Sequence, residues 1–333
     1  MKTIAFFNNK GGVGKTTLVY HVAWMLEHLG VNVVVADLDP QANLTSAFLT
    51  ERRVETLWEP TPPLTIYGAI EPLVERLGDI VHPHVEDVGG IGLVAGDLAL
   101  SRFEDRLTSA WAQCLDDNPA NARDGFRVTT AFYRVIRGAA DASGAQVALL
   151  DVGPNLGALN RAALVASDCV VVPLAADLYS LRGLHNLGPT LAAWRTGWGE
   201  RRQRPAAREL PSLPGGDMQP IGYVVLQHAA RKANEPARAY QRWIDRFPAV
   251  FHRELIRDAV PEGEDPQRLA LLRHFRSLLP MSSEARKPVF DLTAADGAIG
   301  GHAATVNDAR ETFETLTREI AQRAGVIVQP RSA

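Results

Sequence analysis

The feature that most limits what this chain can fold into is the glycine-rich stretch NKGGVGKTT, at residues 9–17. It follows TIAFFN (residues 3–8), a short apolar run typical of a buried strand, and it precedes apolar residues at helical spacing over 15–29. A strand, a glycine loop and a helix in this order are the context in which such loops bind phosphate. The stretch therefore predicts an anion site at a strand–helix junction.

The loop carries the residue types that phosphate binding requires. Glycines let the backbone curl so that its N–H groups face phosphate oxygens, and the positive end of the following helix favours an anion. Lys15 can reach the β- and γ-phosphates, and the Thr16 hydroxyl suits Mg²⁺. The predicted phosphate-binding residues are Gly11, Gly12, Val13, Gly14, Lys15, Thr16 and Thr17.

The loop departs from the standard pattern GxxxxGK[ST], because Asn9 stands where that pattern has its first glycine. The residues fit a variant, xKGGxGK[ST]T, which has an additional lysine, Lys10, just before the glycines. Binding of phosphate by one chain does not require this second lysine. Considered alone, Lys10 is better explained as a solvated loop residue than as a functional one.

Further buried strands are predicted where apolar runs recur along the chain, and helical patterns separate most of them. The strand candidates are VNVVVADLD (31–39), GIGLVAG (90–96), AQVALLD (145–151), CVVVPLA (169–175) and IGYVVLQ (221–227). Helices are predicted at about 100–114, 127–140, 157–166, 178–195, 235–246, 265–276 and 305–324, with one short strand near 277–281. Continuous apolar strands alternating with helices predict an α/β fold: a parallel twisted sheet with helices on both faces.

Composition narrows the class of protein. The chain has 333 residues, of which 46% are hydrophobic, and we expect a single domain over 1–333 with loop insertions near 116–125 and 195–217. The net charge of −3 argues against a globally basic nucleic-acid coat, although a local basic patch stays possible. Cys114 and Cys169 lie far apart, which argues against a zinc site and fits a reducing cytoplasm. No apolar stretch approaches the roughly 20 residues of a membrane span, so no membrane association is expected.

Three carboxylates follow predicted strands at the edge where α/β sheets bind ligands. Asp37 and Asp39 are two residues apart on an extended segment and so point the same way. One of them can orient an attacking water while the other supports Mg²⁺ hydration. Asp151 ends a strand, where a carboxylate can reach Mg²⁺ through water. A capping or solubilising aspartate is the alternative at each position. The predicted metal-site residues are Thr16, Asp37 and Asp151.

Three motifs together resemble one family. NKGGVGKTT, VVVADLDPQANLTSAF (33–48) and ALLDVGPNLGALNRAAL (148–164) resemble the ParA/MinD family of deviant Walker-A ATPases, within the SIMIBI class of P-loop NTPases, and fit its ParA branch best. The resemblance implies that Lys10 crosses a dimer interface to contact the nucleotide of a partner copy. It also implies that Asp39, in switch I, positions the hydrolytic water. The residues implied to be catalytic are Lys10, Lys15 and Asp39.

The resemblance also suggests where the base and DNA bind. Related proteins hold adenine at positions that correspond here to Gln227, Pro280 and Met281, although HAARK (228–232) departs from the family pattern. ParA proteins bind DNA without sequence preference through basic residues of the C-terminal half. The candidates are Arg238, Arg242 and Arg246, which are spaced to share one helix face. A solvated helix face is the alternative explanation for that spacing.

The implied function is that of a cytoplasmic ATPase, able to associate with the nucleoid, with ATP and Mg²⁺ as cofactors. ATP closes a homodimer, the dimer binds DNA, and a ParB-like or cargo-adaptor protein stimulates hydrolysis. The cargo is a plasmid, a chromosome locus or a protein assembly. The alternative is an ATP-switched regulatory or scaffold protein that recruits a partner without binding DNA.

Overall fold

The computed structural model describes residues 1–228, 230–232, 235–236, 238–259, 263, 265–275 and 277–328, with side chains described outside 227–239. The strands in this part are β1 (Lys2–Phe6), β2 (Val33–Leu38), β3 (Glu86–Val88), β4 (Ile91–Val94), β5 (Val147–Val152), β6 (Cys169–Ala175), β7 (Gln219–His228), β8 (Ala230–Lys232), β9 (Glu235–Pro236) and β10 (Arg268–Arg273). Eight of them form one sheet in the order β10-β7-β6-β1-β5-β2-β4-β3. Every neighbouring pair in that sheet is parallel except β3 and β4.

Helices connect the strands and cover both faces of the sheet. Their bounds are α1 (Lys15–His28), α2 (Asn43–Phe48), α3 (Glu51–Trp58), α4 (Ile66–Val74), α5 (Phe103–Gln113), α6 (Pro119–Thr129), α7 (Ala131–Ser143), α8 (Ala158–Val165), α9 (Leu178–Arg202), α10 (Arg238–Ile244), α11 (Phe247–Phe251), α12 (Leu278–Ala285) and α13 (Gly301–Ala324). Short 3-10 turns occupy Leu98–Arg102, Pro205–Glu209, Val289–Asp291 and Ala294–Asp296, and a π-helical turn follows α11 at His252–Ile256.

Burial in the core explains why the continuous apolar runs of the sequence form strands. All six residues of β2 and all six of β5 are buried, as expected for strands covered on both faces. The buried apolar side chains form one cluster on each face of the sheet. The predicted α/β architecture with a mostly parallel sheet is therefore confirmed.

The topology brings four loops to one edge. β1 lies between β5 and β6, and β5 pairs on its other side with β2. Because these strands are parallel, the loops after their carboxyl ends emerge together, where open α/β sheets bind ligands. The glycine loop follows β1 at this edge, and Asp39, Asp151 and Asp177 lie at the ends of the neighbouring strands.

Two predictions in the C-terminal third are wrong. Residues 265–276 were expected to be helical, but 268–273 form β10, the edge strand beside β7. Residues 277–281 were expected to be a strand, but 278–285 form α12. RLALLR is compatible with either structure by periodicity alone, and pairing with β7, about 45 residues earlier in the chain, decides the outcome.

The predicted loop insertions are also partly wrong. Residues 119–125 belong to α6, because Asn118 caps the helix through its side chain and Pro119 occupies the first turn, where proline is tolerated. The first part of 195–217 continues α9 to Arg202. Trp198 is buried there, stacked on Trp111 at 6.2 Å between ring centroids, so tertiary packing extends the helix.

Candidate functional site

The glycine loop forms the floor of an open cleft of about 760 Å³ at the carboxyl edge of the sheet. All seven predicted phosphate-binding residues, 11–17, line this cleft. Gly12 has φ +72° and Gly14 has φ +89°, values in the left-handed region that favours glycine. α1 begins directly after the loop, at Lys15, so its N-terminal N–H groups point into the same space.

Lys15, Thr16 and Asp151 form a buried polar cluster at the base of the cleft. Lys15 Nζ lies 2.5 Å from one Asp151 carboxylate oxygen, and Thr16 Oγ1 donates to the other at 2.7 Å. The Lys15 side chain is 8% exposed and that of Asp151 is fully buried. Burial raises the pKa of Asp151, while the charge of Lys15 and its hydrogen bond oppose that effect. Adjacent hydroxyl and carboxylate oxygens are the donors that Mg²⁺ prefers, so these residues fit a magnesium ion beside a bound phosphate.

The two switch I aspartates have different surroundings. Asp39 lines the cleft and accepts a hydrogen bond from the Gln41 N–H at 3.1 Å. Asp37 is fully buried and is not among the lining residues; one of its oxygens accepts from both the N–H and the hydroxyl of Thr45, each at 2.8 Å. Burial raises the pKa of Asp37 to about 7, and the neighbouring Asp151 charge adds to the rise. The structure thus places Asp37 behind switch I, facing Thr45 and in register with Asp151 of the neighbouring strand. Its predicted support of Mg²⁺ hydration stays a prediction.

Lys10 lies at the rim of the cleft and is paired within its own chain. Its ammonium donates to the carboxylate of Asp177 and lies 5.9 Å from the ring centroid of Tyr179. Asp177 is the N-cap of α9, where its other oxygen accepts from the Ser180 N–H at 2.8 Å. Sequence reasoning missed Asp177, although aspartate is favoured at a helix N-cap and this one directly precedes the helix predicted at 178–195.

Switch II, the segment VGPNLG (152–157) that follows Asp151, is held by two side chains that the sequence did not single out. Glu104, on α5, accepts from the N–H groups of Ala158 and Leu159 at 2.5 and 2.9 Å, which caps the start of α8. A Cβ at Gly157 would lie 2.6 Å from the Glu104 carboxylate, so a larger residue there would displace the Glu104 side chain. Asn160 donates to the Gly153 carbonyl at 2.7 Å. The loop after Asp151 is therefore fixed at both of its ends.

The residues by which the C-terminal third lines the cleft are not the ones that were predicted to contact adenine. Pro280 and Met281 lie on α12, but the residues of that helix that line the cleft are Leu279, Ser282 and Ser283. The side chain of Gln227 lies outside the described residues. A narrow apolar cavity of about 30 Å³, which shares Gly14, Thr17 and Leu279 with the cleft, extends toward the ends of β7 and β10. The adenine contacts stay a prediction.

The predicted basic face is divided between two helices. α10 ends at Ile244, and Arg246 occupies the position directly before α11. Arg242 and Arg246 are exposed, and their guanidinium groups lie 4.8 and 5.5 Å from the ring centroid of Trp243. The side chain of Arg238 lies outside the described residues.

In the described part of the chain, no group of three or more His, Cys, Asp or Glu residues could hold a metal ion, and no helix is long and apolar enough to cross a membrane.

Comparison with known proteins identifies the family of the chain. A family model described as an AAA domain (AAA_31) matches residues 1–197, which contain the glycine loop, both switches and Asp177. The chain belongs to the ParA/MinD family of P-loop ATPases. The chromosome-partitioning ATPase Soj of Thermus thermophilus is 32% identical over 203 residues, covering 60% of this chain and 66% of Soj. The chain spans about two thirds or less of the length of the curated ParA-family relatives it matches.

Two solved structures extend the likeness to almost the whole chain. Protein DIP2308 from Corynebacterium diphtheriae superimposes with a TM-score of 0.71 at 24% identity, covering 97% of this chain and 98% of that one. The ATP complex of a variant of McdA from Cyanothece has a TM-score of 0.63 at 14% identity and covers 99% of both chains. At these identities the likeness shows the fold alone. It confirms the ParA-like arrangement of the sheet and helices.

Proposed function

We propose that this protein is a ParA-like ATPase whose ATP-bound form is a dimer that binds DNA and positions a cargo. The observation that carries the proposal is the pair of lysines at the cleft. Lys15 is buried at the base of the cleft, where it would bind a phosphate held by its own chain. Lys10 lies at the rim, from which it would extend to a nucleotide held by a second copy.

In this proposal, different residues of the cleft bind the phosphates, hold Mg²⁺ and align the attacking water. The N–H groups of the glycine loop and the Lys15 ammonium would bind the β- and γ-phosphates, replacing the present contact of Lys15 with Asp151. Thr16 and Asp151 would hold Mg²⁺, which neutralises phosphate charge when bound. Asp39, at the cleft surface, would accept a hydrogen bond from the attacking water and so align it.

A second copy of the chain would complete the site. An ammonium delivered across an interface stabilises the charge that develops on the transferred phosphoryl group, as arginine fingers do. Exposed apolar side chains lie close to Lys10 in the fold: Leu178 is 42% and Tyr179 73% exposed at the start of α9. Burial of such side chains between two copies would favour dimerisation.

Support for DNA binding comes from Arg242 and Arg246. Both guanidinium groups are exposed beside Trp243, and neither is paired with a carboxylate in the described part of the chain. They could neutralise backbone phosphates without reading sequence, and such binding weakens as salt rises. A protein of net charge −3 would require a local patch of this kind. A ParB-like or cargo-adaptor protein would then stimulate hydrolysis in the cytoplasm, at the nucleoid.

The proposal is tested by measuring retention of random-sequence duplex DNA at low salt, with ATP, with ADP and without nucleotide. We expect retention with ATP, loss of retention as salt rises, and a marked loss in the Arg242→Ala/Arg246→Ala double variant. The Arg318→Ala variant, which removes a guanidinium paired with Glu314 on α13, is the control. ATP hydrolysis without any DNA retention would contradict the DNA-binding part and favour an ATP-switched regulatory or scaffold protein.

A further inference from the structure

His21 is a buried histidine that lines the cleft, and the ATPase chemistry described above does not use it. It lies on α1, one turn beyond Thr17, and is 1% exposed. Its Nδ1 lies 2.7 Å from the Thr17 carbonyl oxygen, and its Nε2 lies 3.1 Å from the Val289 nitrogen. A carbonyl can only accept and an N–H can only donate. The imidazole therefore carries its proton on Nδ1 and accepts at Nε2.

Two further contacts fix the orientation of the ring. It stacks on Phe313 of α13, with 4.8 Å between ring centroids and 15° between the planes, and it meets Phe290 edge-on at 5.8 Å. The hydrogen bonds and the stacking together leave the imidazole little freedom to rotate. His21 thus connects three parts of the chain: the phosphate-loop helix, the turn that begins at Val289, and α13.

Val289 lies shortly after α12, the helix that forms the C-terminal wall of the cleft. Only residues 286–288 separate α12 from Val289, and the Ser282 hydroxyl donates to the Lys287 carbonyl at 2.5 Å, which ties this connection back onto the helix. A displacement of Val289 would therefore move Ser282 and Ser283, which face the cleft. The bond from Val289 to His21 sets the distance between this wall and α1.

We propose that His21 is a positioning residue for nucleotide binding: acting through Val289, it holds α12 in place against the sugar–base part of a bound nucleoside triphosphate. The phosphates would contact the N–H groups of the loop and of the first turn of α1. His21 touches this turn only at the Thr17 carbonyl, which points along the helix away from its N-terminal end, so these contacts do not depend on His21 or Val289. The inference rests on the proposed function, because it assumes that the cleft binds a nucleotide. It adds a residue whose effect is confined to the part of the ligand beyond the phosphates.

The decisive experiment compares ATP with inorganic tripolyphosphate, which has the phosphates but no sugar or base. His21→Phe keeps an aromatic ring against Phe313 but cannot accept from Val289. We expect it to weaken binding of a fluorescent ATP analogue by about five- to twentyfold, which corresponds to the loss of one buried hydrogen bond, while tripolyphosphate competes as well as it does with the wild type. His21→Gln, whose amide oxygen can accept from Val289, should recover part of the ATP affinity.

The controls separate this role from general destabilisation. His252→Phe replaces another buried histidine, which is hydrogen-bonded to Asp265 away from the cleft, and should leave the affinity for both ligands unchanged. Equal weakening of both ligands by His21→Phe, or unchanged affinity for both, would overturn the inference. If the wild type bound neither ligand, the proposed function itself would fail. If the wild type bound both ATP and tripolyphosphate and His21→Phe changed neither affinity, the positioning role of His21 would be excluded while the proposed function would stand.

Discussion

Lys10 forms an ion pair with Asp177 of its own chain, so the lysine that would serve a partner's nucleotide is held in cis. Burial alone would raise the pKa of Asp177, but its hydrogen bonds from Lys10 and Ser180 outweigh that effect and lower it, which keeps the carboxylate charged. The two side chains are 27% and 36% exposed, so solvent screens much of the attraction. The contact is therefore weak enough to exchange for a contact across a dimer.

Asp177→Asn is expected to favour the dimer. Asparagine still caps α9, but it removes the charge that holds Lys10. An exposed pair contributes up to about 1 kcal/mol. Each of the two copies releases one such pair, so ATP-dependent dimerisation should shift to a protein concentration up to about 30-fold lower, measured by sedimentation. Asp117→Asn, which breaks an exposed pair with Arg204, is the control. Weaker dimerisation in Asp177→Asn would mean that Asp177 instead orients Lys10 for its contact with the partner.

Asp39→Ala is expected to separate ATP binding from hydrolysis. The carboxylate lies at the cleft surface and makes no contact with Lys15, so affinity for ATP should change little. Phosphate release in a single turnover should slow by about 100-fold or more, because the attacking water is no longer aligned, and the ATP-bound dimer should persist. Normal turnover would remove Asp39 from this role.

Asp37→Asn provides the comparison for that experiment. The carboxylate of Asp37 faces Thr45, behind the cleft, and an asparagine oxygen can still accept from the Thr45 N–H. We expect a far smaller loss of turnover than in Asp39→Ala. A loss as large as that of Asp39→Ala, relieved by raised Mg²⁺ concentration, would show that Asp37 supports the metal after all.

Glu104→Ala should destabilise the protein through switch II. The carboxylate caps two N–H groups at the start of α8, and its removal should lower the free energy of unfolding by about 1–2 kcal/mol in urea denaturation. Glu104→Gln keeps an accepting oxygen and should recover part of the lost free energy of unfolding. Glu314→Ala, which breaks an exposed i,i+4 pair with Arg318, should cost about 0.3–0.5 kcal/mol. An equal cost for both alanine variants would show that the Glu104 cap is not formed.

His21 should make stability depend on pH in the acid range. Burial lowers the pKa of His21 from 6.5 to about 4, and the Thr17 hydrogen bond and the charge of Asp291 only partly offset it. Between pH 6.5 and 4 the unfolded chain binds this proton and the folded chain does not, so the contribution of His21 is present above pH 6.5 and is lost as the pH falls. The stability advantage of the wild type over His21→Gln should shrink by up to about 3 kcal/mol from about pH 7 to about pH 4. An advantage that is independent of pH would contradict a buried neutral imidazole.

The sequence was sufficient to predict those features whose residues lie within one continuous segment of the chain. The glycine loop, the start of α1 and the three strand-end aspartates were predicted from residue type and spacing, because a phosphate loop requires glycine backbone freedom and a lysine within one continuous segment. Apolar runs likewise predicted the central strands, since strands covered on both faces must be apolar throughout.

Tertiary structure decided whatever depends on partners distant in sequence. RLALLR is a strand because β7 lies beside it, and Asp37 faces Thr45 because α2 packs behind switch I, although its spacing from Asp39 suggested a shared role. The partners of Lys10 and His21 lie 167 and 268 residues away in the chain. The sequence by itself therefore determined the fold class and the phosphate cradle. Only the tertiary structure decided that Asp177 pairs with Lys10 and that His21 holds the wall of the cleft formed by α12. These contacts join segments that are distant in sequence and that no local pattern relates.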